Sequence, residues 1–166
     1  MTGIQTVSDI VSLSYETLVL GCIVGFAAYD IRTKRVPGRA LVFFCPVAFA
    51  SLPVHMWVAD KGTSFLSVLG LSLAGCAAGF LILLTAALIS KGGAGVGGGD
   101  IKLAAVTGFI YGPYRMLETL MIAALLSACA TLFILCRHKG KASPLSLPFV
   151  PFIAAGSLIT LIISMI

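Results

Sequence analysis

Two carboxylates stand where an apolar chain has least reason to keep them. Asp30 closes the run "TLVLGCIVGFAAYD", and Asp100 follows "SKGGAGVGGG", in which six glycines crowd into positions 92–99, with Lys102 two residues further on. The remaining acids, Asp9, Glu16, Asp60 and Glu118, fall near predicted outer ends or loops, where a solvated charge needs no explanation. Each of the two has an ordinary reading. A carboxylate at a helix C-terminus opposes the macrodipole by about 0.3–1 kcal/mol, so Asp30 would form a surface ion pair with Arg32, Lys34 or Arg35. Asp is a favoured N-cap, so Asp100 would open the helix that follows it. Taken together, on separate helices at similar predicted depth and beside a pliable loop, they are what an aspartyl hydrolase requires. Two carboxylates held close do not both ionise readily, so one keeps its proton while the other is a base. The base takes a proton from water, and the acid hydrogen-bonds a scissile carbonyl. Glycines beside such a pair supply backbone that adopts positive φ and lets an extended peptide approach.

Other chemistries compete for the same residues. "GAGVGG", Gly93 to Gly98, matches G-x-G-x-x-G, with Glu118 about 20 residues on,. A dinucleotide fingerprint needs a preceding strand within a βαβ unit, however, and this one follows a membrane-length apolar segment. A small transporter or proton-coupled channel component would use Asp30 and Asp100 to bind a cation or relay protons. A structural assembly subunit would leave the glycine loop without a role. Cys22, Cys45, Cys76, Cys129 and Cys136 lie almost wholly in apolar segments and form no C-x-x-C pair, so neither a zinc site nor a disulfide framework is indicated,. The expected metal is none, and so is the expected cofactor.

The elements that must position these groups follow from composition. With 166 residues, 59% hydrophobic, 10% charged and a mean hydropathy of +1.10, the chain reads as a polytopic membrane protein,. The net charge of +5 sits in short loops between apolar runs, which argues against a nucleic-acid partner and for the lipid bilayer,. A spanning helix takes about 20 apolar residues, and six candidates fit, roughly at 11–30, 39–58, 64–90, 100–114, 117–136 and 148–166. The expectation is an all-α, polytopic bundle of about six transmembrane helices forming a single domain over 1–166. The fourth segment is short, which is tolerable if the glycine loop dips into the membrane against protein. Arg32, Lys34, Arg35 and Arg39 fill the first loop, Lys91 the third, and Arg137, Lys139 and Lys141 the fifth, against Lys61 and Arg115 alone in the second and fourth. The positive-inside rule then makes the odd loops cytoplasmic, brings both Asp30 and Asp100 to the cytoplasmic side and puts both termini outside. No basic residue precedes Arg32, so the first apolar segment is expected to be retained rather than removed as a signal peptide,. "GCAAG", Gly75 to Gly79, is a small-xxx-small pattern that fits bundle packing and a dimer contact equally well,.

"YDIRTKRVPG" (Tyr29 to Gly38), "GGGDIK" (Gly97 to Lys102) and "LPFVPFI" (Leu147 to Ile153) together resemble the prepilin peptidases, polytopic aspartyl proteases of bacterial inner membranes. The resemblance covers nearly the whole chain. The Tyr-Asp and GxGD pair is also the arrangement of presenilin-like proteases, which are much longer. The resemblance implies catalytic roles for Asp30 and Asp100, with Gly97 and Gly99 as motif glycines. It implies that Lys102 is the basic residue that steadies a carboxylate or meets substrate, its alternative being a lysine snorkelling at the interface. Pro37 ends the basic loop, and Pro148 with Pro151 shapes the start of the last helix. Two departures stand out: Gly38 replaces the asparagine usual after the loop proline, and the insert with paired C-x-x-C motifs that accompanies N-methylation does not occur. The likeness is therefore to the short, peptidase-only branch, including members serving Flp-type pilins and tight-adherence systems. The activity implied is cleavage, after a glycine at the cytoplasmic face, of the basic leader of a prepilin or pseudopilin. The residues leave the oligomeric state open.

Overall fold

In a medium without water, backbone N–H and C=O groups must be satisfied within the protein, and an α-helix does this within one segment. The computed structural model describes residues 2–33, 38–59, 62–89, 97–137 and 148–165, and every regular element among them is an α-helix. These are α1 (Thr2–Thr33), α2 (Gly38–Phe49), α3 (Ser51–Val58), α4 (Phe65–Ile89), α5 (Gly98–Arg137) and α6 (Val150–Ile163). Four stretches are long and apolar enough to cross a membrane, Val7–Thr33, Leu41–Val58, Phe65–Ile89 and Gly98–Arg137, while α6 is a shorter apolar helix. The all-α architecture is as expected.

The count of six separate spans does not carry over, and the reason is local. The segments expected at 100–114 and 117–136 run on as α5, with Arg115 inside the helical run instead of in a loop. Pro113 has no N–H and disfavours helical geometry in the residue before it. Gly112 answers with φ 73° and ψ 176°, outside the helical region, a conformation open to glycine because it has no Cβ. One residue is therefore enough to divide α5 into 98–111 and 113–137 without making a loop. Between α2 and α3 the interruption is slighter. The Ala50 N–H still donates to the Pro46 carbonyl at 3.0 Å, and Pro53 falls in the first turn of α3, where a missing N–H costs little. The two form one span.

The most extensive packing joins α4 to α5, followed by α5 to α6 and α1 to α6. The first contact is backbone on backbone. A Cβ on Gly75 would land on the Gly108 carbonyl oxygen and 2.6 Å from the Gly112 carbonyl carbon, and one on Gly79 would come within 2.9 Å of the Ala104 carbonyl carbon. "GCAAG" is thus bundle packing against a matching series on α5, Ala104, Gly108 and Gly112, at four-residue spacing. Small residues permit this approach, which in lipid supplies the dispersion contacts that hold helices together. On α6, a Cβ at Gly156 would sit 2.6 Å from the Thr119 carbonyl oxygen, and the Thr119 and Thr160 hydroxyls meet at 3.3 Å. Along α1 the buried stripe is Val19, Ile23, Ala27 and Asp30, at helical spacing,.

Because backbone cannot move aside as a side chain can, Gly75→Ala is expected to destabilise the fold by about 1–3 kcal/mol. Gly25→Ala, whose added methyl meets nothing within 4 Å, should be neutral or slightly stabilising. Thermal unfolding of both variants in detergent measures the contrast.

Candidate active site

Asp30 is the last member of the α1 stripe, and it is 3% exposed. Its neighbour in space is the start of α6. A helix leaves its first N–H groups without intrahelical partners, and α6 disposes of them one at a time. Pro151 has none to offer, the Phe152 and Ile153 N–H groups reach the Phe149 carbonyl at 3.0 and 3.2 Å, and the Val150 N–H donates to the Asp30 carboxyl. The N-cap residue, Phe149, makes no side-chain cap bond. A carboxylate from α1 therefore serves the positive end of α6. The other oxygen, Asp30 Oδ2, is sealed from the surface and has no hydrogen-bond partner among the described residues.

Asp100 lies in the first turn of α5, where an acid suits the dipole, and is 7% exposed,. Its Oδ2 accepts the Gly97 N–H at 3.2 Å, and the Gly97 carbonyl accepts the Asp100 N–H at 3.0 Å. This reciprocal pair closes the turn that starts the helix. Asp100 also opens the buried stripe of α5, which continues through Leu103, Ala104, Thr107 and Gly108. The charge of Asp30 acts on Asp100, so the first turn of α5, the last turn of α1 and the start of α6 meet at one place. Among the described residues these two are the buried acids. Asp9 and Glu118 are exposed.

The other expected site residues separate. Gly97 precedes α5 directly and touches the Asp100 carboxyl, and Gly99 is half-buried in the first turn. Lys102 is exposed; two residues along a helix place it across the axis from Asp100, on the side that fits a snorkelling lysine. Pro37 lies outside the described residues, as do Lys34, Arg35, Lys91 and the loop positions 92–96. Arg32 is exposed in the last turn of α1, and Pro148 and Pro151 flank the start of α6. Among the described residues no group of three His, Cys, Asp or Glu comes together as metal ligands would.

Two features had no signal in the sequence. The Val150 N–H is a backbone group and carries no residue preference. Glu16, read as a solvated outer charge, forms a two-point ion pair with Arg115, both of them partly buried. Nearby, His55 Nε2 donates to the Ile110 carbonyl at 2.8 Å, close to the break in α5. The carbonyl only accepts, so the ring carries its proton on Nε2.

A proton-exchanging pair of buried carboxylates, each steadied by a backbone N–H at a helix start, agrees with what comparison with known proteins finds. Residues 17–135 match the type IV leader peptidase family. The chain is 42% identical over 141 residues to a prepilin leader peptidase/N-methyltransferase of Bacillus subtilis (strain 168), covering 80% of this chain and 49% of that protein. It is 31% identical over 142 residues to proteins of the same name from Burkholderia pseudomallei strains 1026b and K96243, covering 84% of this chain and 43% of each relative. The chain thus spans about half the length of the curated relatives it matches. No solved structure matches it. With the match running from the middle of α1 through nearly all of α5, and so across both buried aspartates, the chain belongs to the type IV leader peptidase family.

Proposed function

We propose that this protein is a membrane-embedded aspartyl endopeptidase that removes the leader peptide of type IV prepilins or pseudopilins, Flp-type precursors included. The observation that carries the reading is the meeting of Asp30 and Asp100, buried, electrostatically coupled and drawn from different helices. In the reaction one carboxylate takes a proton from water, and the water oxygen attacks the scissile carbonyl carbon. The other carboxyl gives its proton to the carbonyl oxygen. Collapse of the tetrahedral intermediate breaks the C–N bond, and the leaving amine takes up the proton that the base received. Each aspartate is held through one oxygen, by Val150 N–H or by Gly97 N–H, and Asp30 Oδ2 keeps its hydrogen-bonding capacity for water or for the shared proton. Water is the nucleophile, so the chemistry asks for no metal or organic cofactor. The exposed backbone at Gly97 and Gly98 offers a substrate strand access beside Asp100,. The protein would sit in the bacterial inner membrane as a single peptidase domain. The Lys and Arg distribution directs the aspartates to the cytoplasmic face, where a basic leader waits.

Replacing Asp30 or Asp100 by Asn should abolish cleavage of a purified prepilin in detergent, since an amide can neither take water's proton nor exchange one with its neighbour. The double variant should lose nothing further, because residues acting as a unit are non-additive. Near-normal cleavage by either single variant would overturn the dyad and return attention to ion or proton translocation.

Stability should distinguish Asn from Ala at position 30. The Asn oxygen still accepts the Val150 N–H, whereas Asp30→Ala leaves that donor unserved and should lower stability by about 0.5–2 kcal/mol, read as a lower melting temperature. Cleavage by the unaltered enzyme should trace a bell against pH whose two limbs belong to the pair.

Orientation has its own measurement. Single cysteines placed in 31–39 and 137–146 should react with impermeant reagents only from the cytoplasm, and those beside Lys61 only from outside. The reverse pattern would put the aspartates on the wrong face for this reaction.

A further inference from the structure

The break in α5 opens a second site, away from the aspartates. Beside it lies a cleft of about 370 Å³, walled by Val68, Leu71 and Ser72 of α4 and by the run Gly112 to Arg115 of α5. Arg115 is fifteen residues beyond Asp100, roughly 20 Å along a helix at 1.5 Å per residue.

Three features of the wall favour an anion. Past Gly112 the helical ladder starts afresh at Pro113, so the first turn of the half-helix 113–137 presents unserved N–H groups and the positive end of a dipole. Pro113, Tyr114 and Arg115, the residues of that turn, line the cleft. Ser72 is 3% exposed, lines the same cleft and has no hydrogen-bond partner among the described residues. Arg115 supplies a guanidinium with five N–H donors, of which Glu16 engages only part,. Glu16 meets it from the α1 side and does not line this cleft. The rest of the wall is apolar, and Leu71 both lines the cleft and is exposed on the outer face of α4. A polar floor thus continues directly onto the lipid-facing surface. An anion carrying acyl chains fits both parts; a free ion fits only the floor.

We infer that this cleft binds one membrane phospholipid, its phosphate received by the start of the half-helix 113–137, the Ser72 hydroxyl and Arg115, with its chains along α4. The lipid bridges α4 to the outer half of α5 just beyond the Gly75–Gly108 contact.

The test is native mass spectrometry of the full chain in detergent. It is titrated with phosphatidylglycerol and, separately, with a galactosyl diacylglycerol of the same chains that lacks phosphate. One phosphatidylglycerol per chain should be retained under conditions that strip the galactolipid. Ser72→Ala, a small change that removes one donor to a charged group, should weaken phosphatidylglycerol binding on the order of tenfold. Arg115→Gln should weaken it further; because that variant also loses the Glu16 pair, Ser72→Ala decides the matter by itself. Equal retention of the two lipids, or undiminished binding by Ser72→Ala, would overturn the proposal. So would thermal stabilisation by millimolar inorganic phosphate as large as that given by phosphatidylglycerol, since it would show a free-anion site.

Discussion

Away from water, an interrupted helix leaves polar groups that only the protein can satisfy, and burying one unserved costs several kcal/mol. This bundle has interruptions at the start of α5, at Gly112 and at the start of α6, and beside each stands a side chain from the buried interior. Asp100 serves the Gly97 N–H, His55 reaches the Ile110 carbonyl, and Asp30 takes the Val150 N–H. The two acids proposed for chemistry are also the groups that complete the backbone of two helix starts. Their burial is therefore not a bare cost set against function. Each carboxylate has one oxygen committed to structure, which fixes its orientation, and the remaining valence is aimed inward.

The frame that holds them depends on close backbone approach. Asp100 rides on α5, which is locked to α4 through Gly75, Gly79, Ala104 and Gly108, where no side chain intervenes to yield. Asp30 reaches the same place by a different route, since α1 packs mainly on α6 and α3. Its distance from Asp100 is thus relayed through α6, whose seat on α5 is the Gly156–Thr119 contact and the Thr119–Thr160 hydroxyl pair. A methyl group added at Gly156 would displace α6, and with it the N–H that orients Asp30.

Asp30 and Asp100 were legible in the sequence because a carboxylate is conspicuous in an apolar stripe and because the surrounding motifs are distinctive. The helical class was legible from hydropathy alone. The number of spans was not: a Gly-Pro step followed by Tyr-Arg reads as a loop, and nothing local shows that a single glycine at φ 73° lets the chain continue as helix. The glycine pattern on α4 was visible, but its partner lies some 30 residues away, and small residues do not announce what they pack against. Glu16 and Arg115, 99 positions apart, looked like two solvated charges because pairing is a property of the assembled bundle. The loop glycines Gly92, Gly93 and Gly95 and the basic-loop Pro37 lie outside the described residues, so their roles rest on the sequence.

The Glu16–Arg115 pair has a mechanical consequence. Fourteen residues of α1 separate Glu16 from Asp30, and fifteen of α5 separate Arg115 from Asp100, so two antiparallel struts of nearly equal length are joined near both ends. The extra residue on α5 is accommodated where Gly112 departs from helical geometry. Struts cross-braced at both ends resist shear: α1 cannot slide along its axis relative to α5 without disturbing both junctions together. A bundle so braced yields by rotation or by hinging at Gly112 sooner than by slippage, and the spacing of the carboxylates behaves as a dimension of the whole truss.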